Sequence, residues 1–196
     1  ATVRVMTMKP GVVDTIESEV EIPITNGQLH SDYKRDLSKI FMFYRHENEA
    51  AKGTKGFGFV NGINFKENCA YASTVSHDCH NLFVVGTSDE AMKIAANKLI
   101  EVHGGICVVI DNKVESVMPM PLAGLMSLEN LEIASKQIGE IEDALRKAGC
   151  PHDTFEMTLS LLGLICLPQL HISNRGLIRL TDGEAPKVVD LIVSTK

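Results

Sequence analysis

Residues 77–81, HDCHN, set two imidazoles, a carboxylate, a thiol and an amide side by side, directly after the strand-like run ending in ASTV. Two kinds of chemistry are open to them. His77, Asp78, Cys79 and His80 are all ligand types for zinc, manganese or iron. They are equally proton carriers, since histidine titrates nearest neutral pH and Asp78 stands where it could orient one ring. HxxH spacing brings both rings to one side of a helical turn but sends them to opposite faces of a strand, so either use depends on the local backbone. A third reading is a hydrogen-bonded turn, with Asp78 or Asn81 bonding nearby amides.

Arg45-His46 is a second candidate, because it ends another strand-like run and could add a cation and an imidazole to the same edge; a solvated strand end is the plainer reading. His30, His103, His152 and His171 stand alone and read as surface or packing residues, with His103 in a last helical turn where a cation suits the helix dipole. Gly104-Gly105 closes a helix rather than opening one, and neither GxGxxG nor GxxxxGK[ST] occurs, so no phosphate loop is encoded. A GxSxG elbow and the HxE with PCxxC signature of zinc nucleobase deaminases are also absent. The five cysteines are an odd number without a CxxC pair, which argues against a disulfide framework or a zinc ribbon; most read as buried thiols.

The elements that must position these groups follow from the pattern. TVRVMTMKPG and ESEVEIPITNG read as two strands around a Pro-Gly turn, SDYKRD as a polar loop, and LSKIFMFYRH as a strand with Ile40 and Met42 opposite Phe41 and Phe43. ENEAAKGTKG is a loop, and FGFVNGINFKENCAYASTV gives strands around a bend whose glycines allow close backbone approach. NLFVVGT is a strand buried on both faces. Thr87 and Glu90 have capping-box spacing for a helix bearing Met92, Ala95, Leu99 and Val102, and ICVVIDNKVESVM is a hairpin turning at Asp111-Asn112-Lys113. From Ser127 as N-cap, a long helix carries a seam through Leu131, Ala134, Ile138, Ile141, Leu145 and Ala148, ended by Gly149 and Pro151. The rest, interrupted by Pro168 and Gly176, reads as short elements. Met118, Met120 and Met126 fill core or interface gaps. The order predicts an α/β fold of α+β type, a layered mixed β-sheet with packed helices, as one domain over 1–196 in which residues 1–25 are edge strands that a neighbouring domain could share.

Composition bounds the function. With 44% hydrophobic and 22% charged residues the chain is expected to fold, and 196 residues suffice for one sizeable core. A net charge of -6 argues against a nucleic-acid partner. The apolar run LSLLGLIC is well short of a membrane span and no signal-peptide pattern opens the sequence, so a cytoplasmic location without membrane attachment is expected.

From ASTVSHDCHN through NKV, and again in PMPLAGLMS, MTLSLLGLICLPQL, RH and GFGFVNG, the sequence resembles the C-terminal domain of bacterial adenine deaminase, in the amidohydrolase superfamily. HDxHN and GLMS carry the likeness, which runs from the first strands to NRGL. The resemblance implies metal-dependent hydrolysis of adenine to hypoxanthine and ammonia, with manganese, iron or zinc held in a (β/α)8 barrel. This chain is too short for that barrel and has no HxH pair, so the barrel is an expected partner in cis or trans, alongside adenine and a homo-oligomeric assembly. The chain alone is expected to be inactive and to bind no metal stably. Carried over from the family are accessory catalytic roles for His77, Asp78 and His80 and substrate-binding roles for Asn81, Arg45 and His46. Cys79 stands where the family usually has serine, and TDGEAPKVVDLIVSTK has no counterpart. The alternatives are a non-catalytic binding or oligomerisation domain, with the long helix as interface, and a metal site built from His77, Cys79 and His80.

Overall fold

The structure, a computed structural model, describes residues 1–9, 12–150 and 155–195. Its strands are β1 (Thr2–Thr7), β2 (Ile16–Glu21), β3 (Ile24–Thr25), β4 (Gln28–Leu29), β5 (Ser38–Phe43), β6 (Lys55–Asn61), β7 (Ala70–Ser73), β8 (Leu82–Gly86), β9 (Gly105–Ile110), β10 (Lys113–Pro119), β11 (Gln169–Ser173), β12 (Gly176–Leu180), β13 (Lys187–Val189) and β14 (Ile192–Ser194). The helices are α1 (Asp89–Glu101), α2 (Leu131–Ala148) and α3 (Phe155–Ser160).

Nine strands form the main sheet in the order β10-β9-β7-β8-β5-β6-β1-β14, with β2 also paired to β1. The sheet is mixed: β1 runs parallel to β6, and its other described pairings are antiparallel. Alternation along the central strands sorts their side chains into two cores. Ala70, Ala72, Leu82, Val84, Cys107 and Val109 meet Ala91, Met92, Ala95 and Leu99 of α1. Tyr71, Phe83, Val85, Ile106, Val108, Ile40 and Met42 face the opposite way, toward Ile141, Ala144, Leu145 and Ala148 of α2 and toward Leu170, Ile172 and Leu177. The latter three belong to a second sheet, β11-β12-β13, stacked on β6 and β5. The layered α+β architecture, with no closed barrel, matches the one expected.

Local chemistry accounts for the differences in detail. The N-cap of α1 is Ser88, whose hydroxyl accepts from the Ala91 amide, rather than Thr87; Thr87 Oγ1 instead donates to the Lys66 carbonyl at 2.7 Å. The N-cap of α2 is Asn130, whose side chain accepts from Ile133, and Ser127 caps only the preceding turn through the Glu129 amide. The α2 seam is buried only in its second half: Leu131 is 80% exposed while Ile141, Leu145 and Ala148 are buried. SDYKRD contains a 3₁₀ turn at Tyr33–Arg35, and the run after β2 breaks into the β3-β4 hairpin at Asn26-Gly27. The Asp111-Asn112 turn between β9 and β10 has positive φ at both residues, as a tight hairpin requires. Met118 and Met120 are buried, whereas Met126 is exposed. The Pro-Gly turn at 10–11, Pro151 and His152 lie outside the described residues.

The two sheets touch where β6 has no side chain. A Cβ on Gly56 would collide with the Ser173 carbonyl, and one on Gly58 would lie 2.8 Å from the Leu177 side chain. Gly139, on α2, has open space around it. Gly56→Ala is therefore expected to lower stability by about 2 kcal/mol or more through overpacking. Gly139→Ala is expected to raise it by about 0.5–1 kcal/mol through helix propensity. Urea unfolding of the two variants checks both signs.

Candidate functional site

Ser76 to His80 form one tight turn between β7 and β8. The His80 amide donates to the Ser76 carbonyl at 2.6 Å, and His80 closes the turn with φ +47, a left-handed conformation that histidine adopts more readily than branched residues. This backbone settles the HxxH question. The rings of His77 and His80 lie on the same side, their centroids 5.6 Å apart and their planes inclined by 58°.

Two side chains from the end of β5 hold the turn. Arg45 Nε donates to the His80 carbonyl at 2.5 Å and Nη2 to the Ala123 carbonyl at 2.8 Å. His46 Nε2 lies 2.7 Å from the Cys79 carbonyl, which can only accept, so Nε2 carries the proton. Burial lowers the pKa of Arg45, but from so far above neutrality that the guanidinium stays charged. The 122–127 loop, which contains GLMS, fits under the guanidinium because residue 124 is glycine: φ is +74, and an added Cβ would sit 3.0 Å from both terminal nitrogens. Thr74 Oγ1 donates to the Gly124 carbonyl at 2.5 Å and accepts from the Gly105 amide at 2.8 Å, which locks that loop to the end of β7.

Within the turn the side chains separate. Asp78 and Cys79 are exposed, and among the described residues Asp78 makes no hydrogen bond to either ring. The expectation that Asp78 orients an imidazole is thus corrected: the ring partner of His77 is Ser160, with Nδ1 and Oγ 2.9 Å apart, because the turn projects Asp78 into solvent. Among the described residues His80 Nδ1 is buried without a hydrogen-bond partner, and burial, followed by the neighbouring His77 and Arg45, lowers its pKa. Asn81 is 1% exposed; its amide donates to Asn174 Oδ1 at 3.4 Å, and Asn174 donates in turn to Thr54. Arg45, His46, His77, Asp78 and His80 are thus gathered at one loop, while Asn81 lies beneath it.

The donor set does not fit a metal. Among the described residues no group of three or more His, Cys, Asp or Glu side chains could hold an ion, so His77, Cys79 and His80 do not form the metal site considered from the sequence. Cys69, Cys107 and Cys150 are buried, the Cys107 thiol pushed up to about 12 by burial, and Cys79 and Cys166 are exposed. A large cavity, about 930 Å³, lies elsewhere, against Phe41, Phe43 and Phe57 on the α1 side of β5 and β6, and none of the six predicted residues lines it. Thr74, Gly124 and Ser160 were not singled out from the sequence. Their only signal was membership in the ASTV, GLMS and MTLSLLG segments. No described helix is long and apolar enough to cross a membrane.

A family model described as the adenine deaminase C-terminal domain matches residues 13–184. The chain belongs to that family. It is 42% identical over 177 residues to an adenine deaminase of Clostridium botulinum (strain ATCC 19397 / Type A), covering 90% of this chain and 29% of the relative. A Rubrobacter xylanophilus adenine deaminase is 42% identical over 178 residues (91% and 29%), and one from Moorella thermoacetica 39% over 190 residues (97% and 31%). The domain therefore spans under a third of the length of these relatives.

Half-buried His80 and buried His171 set an acid limit. His80 and His171 both have pKa values lowered mainly by burial, so each binds its proton more weakly folded than unfolded. Their contribution to stability is complete above the ordinary histidine value of about 6.5 and is lost as pH falls. Glu17, held below the usual carboxylate range by Arg179, adds a second loss beginning near the ordinary value of about 4.3. Urea midpoints are expected to be highest near about pH 7.5–8 and to fall on acidification from about pH 6.5; they fall again above about pH 8.5, where unfolded thiols ionise and buried Cys107 does not, and a midpoint constant down to about pH 5 would contradict the acid limb.

Proposed function

We propose that this domain is the accessory part of an adenine deaminase, in which adenine is hydrolysed to hypoxanthine and ammonia by a metal-bearing barrel domain outside these 196 residues. The observation that carries this reading is the pair of imidazoles held side by side by a clamped loop in a chain of that family. His77 and His80 act as accessory proton carriers at the mouth of the catalytic domain, and Asp78 adds a carboxylate at its rim. Arg45 and His46 support the site through the loop backbone, and Asn81 fixes the loop to the second sheet. This reading gives Arg45, His46 and Asn81 positioning roles where the family resemblance suggested substrate contacts. Manganese, iron or zinc belongs to the barrel, since the donors here do not converge on an ion. A cytoplasmic enzyme of purine metabolism is consistent with this assignment.

The covering partner has a surface to meet. Leu122, Met126, Leu128 and Leu131 are exposed in the segment that passes Arg45 and opens α2. The same patch supports a second reading, an oligomerisation domain, and sedimentation of the isolated chain distinguishes a self-associating face from one that waits for the barrel.

In a full-length adenine deaminase carrying this domain, His77→Ala and His80→Ala are each expected to lower kcat/KM at least tenfold, or about 1.4 kcal/mol, while the thermal midpoint moves by only a few degrees. Kinetics unchanged in both variants would sink the catalytic reading. The isolated chain, supplied with manganese and adenine, is expected to release no ammonia.

A further inference from the structure

We propose that Ser160 is a positioning residue that fixes His77 as the Nδ1–H tautomer and leaves Nε2 as its unprotonated, proton-accepting atom. A serine hydroxyl has one hydrogen and two lone pairs, and a backbone carbonyl has no hydrogen to give. Ser160 Oγ lies 2.7 Å from the Met157 carbonyl and 2.9 Å from His77 Nδ1. The Ser160 hydrogen is committed to Met157; turned toward the ring, it would leave hydroxyl and carbonyl lone pairs facing each other. Toward His77 the hydroxyl can then only accept, so Nδ1 must donate.

The surroundings hold this arrangement in place. Ser160 is 3% exposed, and its carbonyl accepts the His77 backbone amide at 3.2 Å, so ring and backbone of His77 are tied to the same residue. Such two-point attachment fixes the ring orientation as well as the tautomer. The neighbouring ring lies close: among the described residues His80 Nδ1 is buried without a partner, 5.6 Å separating the ring centroids. When His77 Nε2 accepts a proton, the resulting imidazolium still donates Nδ1–H to Ser160, so proton uptake requires no rearrangement of that bond. On return of the proton the same tautomer is restored. The importance of Nε2 for turnover rests on the catalytic reading above; the tautomer does not.

The test is a two-bond 1H–15N spectrum of the ¹⁵N-labelled 196-residue chain, read on the alkaline plateau of the histidine signals. The expected His77 pattern is a pyrrole-like Nδ1 and a pyridine-like Nε2. Ser160→Ala is expected to lose that pattern in favour of the Nε2–H form, and Ser160→Thr, which keeps the hydroxyl, to retain it. A wild-type His77 with its proton on Nε2 would overturn the proposal, as would identical His77 shifts in wild type and Ser160→Ala. The wild-type spectrum decides the tautomer even if a variant fails to fold. It also does so whatever the His77→Ala kinetics show, so failure of the catalytic reading and failure of this proposal are separately visible.

Discussion

Two backbone carbonyls outside the sheet ladder, those of His80 and Ala123, converge on the guanidinium of Arg45. Unpaired, the half-buried His80 carbonyl would carry a desolvation cost of about 1–3 kcal/mol, whereas the exposed Ala123 carbonyl could turn to water, so its bond serves to position the loop. Paired, they weld two loops from distant parts of the chain to the end of β5. A planar cation with divergent N–H groups suits this task, because it can serve two acceptors at a fixed angle, which an ammonium on a flexible stem does poorly. His46 extends the grip to the Cys79 carbonyl. The placement of the two imidazoles is thus set by contacts to the backbone, and the side chains of the turn remain available.

The layers explain why such a loop can be held rigidly. Its flanking strands, β7 and β8, are buried on both faces and lie near the middle of the sheet, under α1 on one side and the α2 and second-sheet core on the other. Side chains mounted on rigid strand ends keep their geometry better than those on a free surface loop. Ser160 approaches from the third helix, so the His77 ring is fixed by an element that contributes nothing to the sheet.

Much of this was legible in the sequence. Alternation in SKIFMF and the continuous apolar run in LFVVG gave the strands, the periodicity of α1 gave its buried face, and Asp111-Asn112 gave the hairpin turn. The HDCHN cluster announced itself by composition. Its geometry did not, because HxxH spacing changes meaning with backbone conformation, and that conformation depends on Arg45, 35 residues away from His80. Ser160 was invisible for the same reason: a serine next to apolar residues carries no mark of the histidine it will meet 83 positions earlier. The caps shifted by one to three residues because Thr87 and Ser127 found other partners, and local capping rules do not see such competition.

The placement of β1 bears on how the chain reaches this state. One edge of β1 pairs along its length with β2, and the other is divided between β6 at Val5–Thr7 and β14 at Thr2 and Val3. Pairing Thr2 with Ser194 closes a loop of nearly the whole chain. Closure entropy grows only logarithmically, by about 0.6 kcal/mol per doubling of loop length, so the remoteness of the two strands costs little equilibrium stability. Its weight falls on kinetics: contacts between distant segments slow the search for the native state, and β14 has no edge to join until β1 has been set against the rest of the sheet.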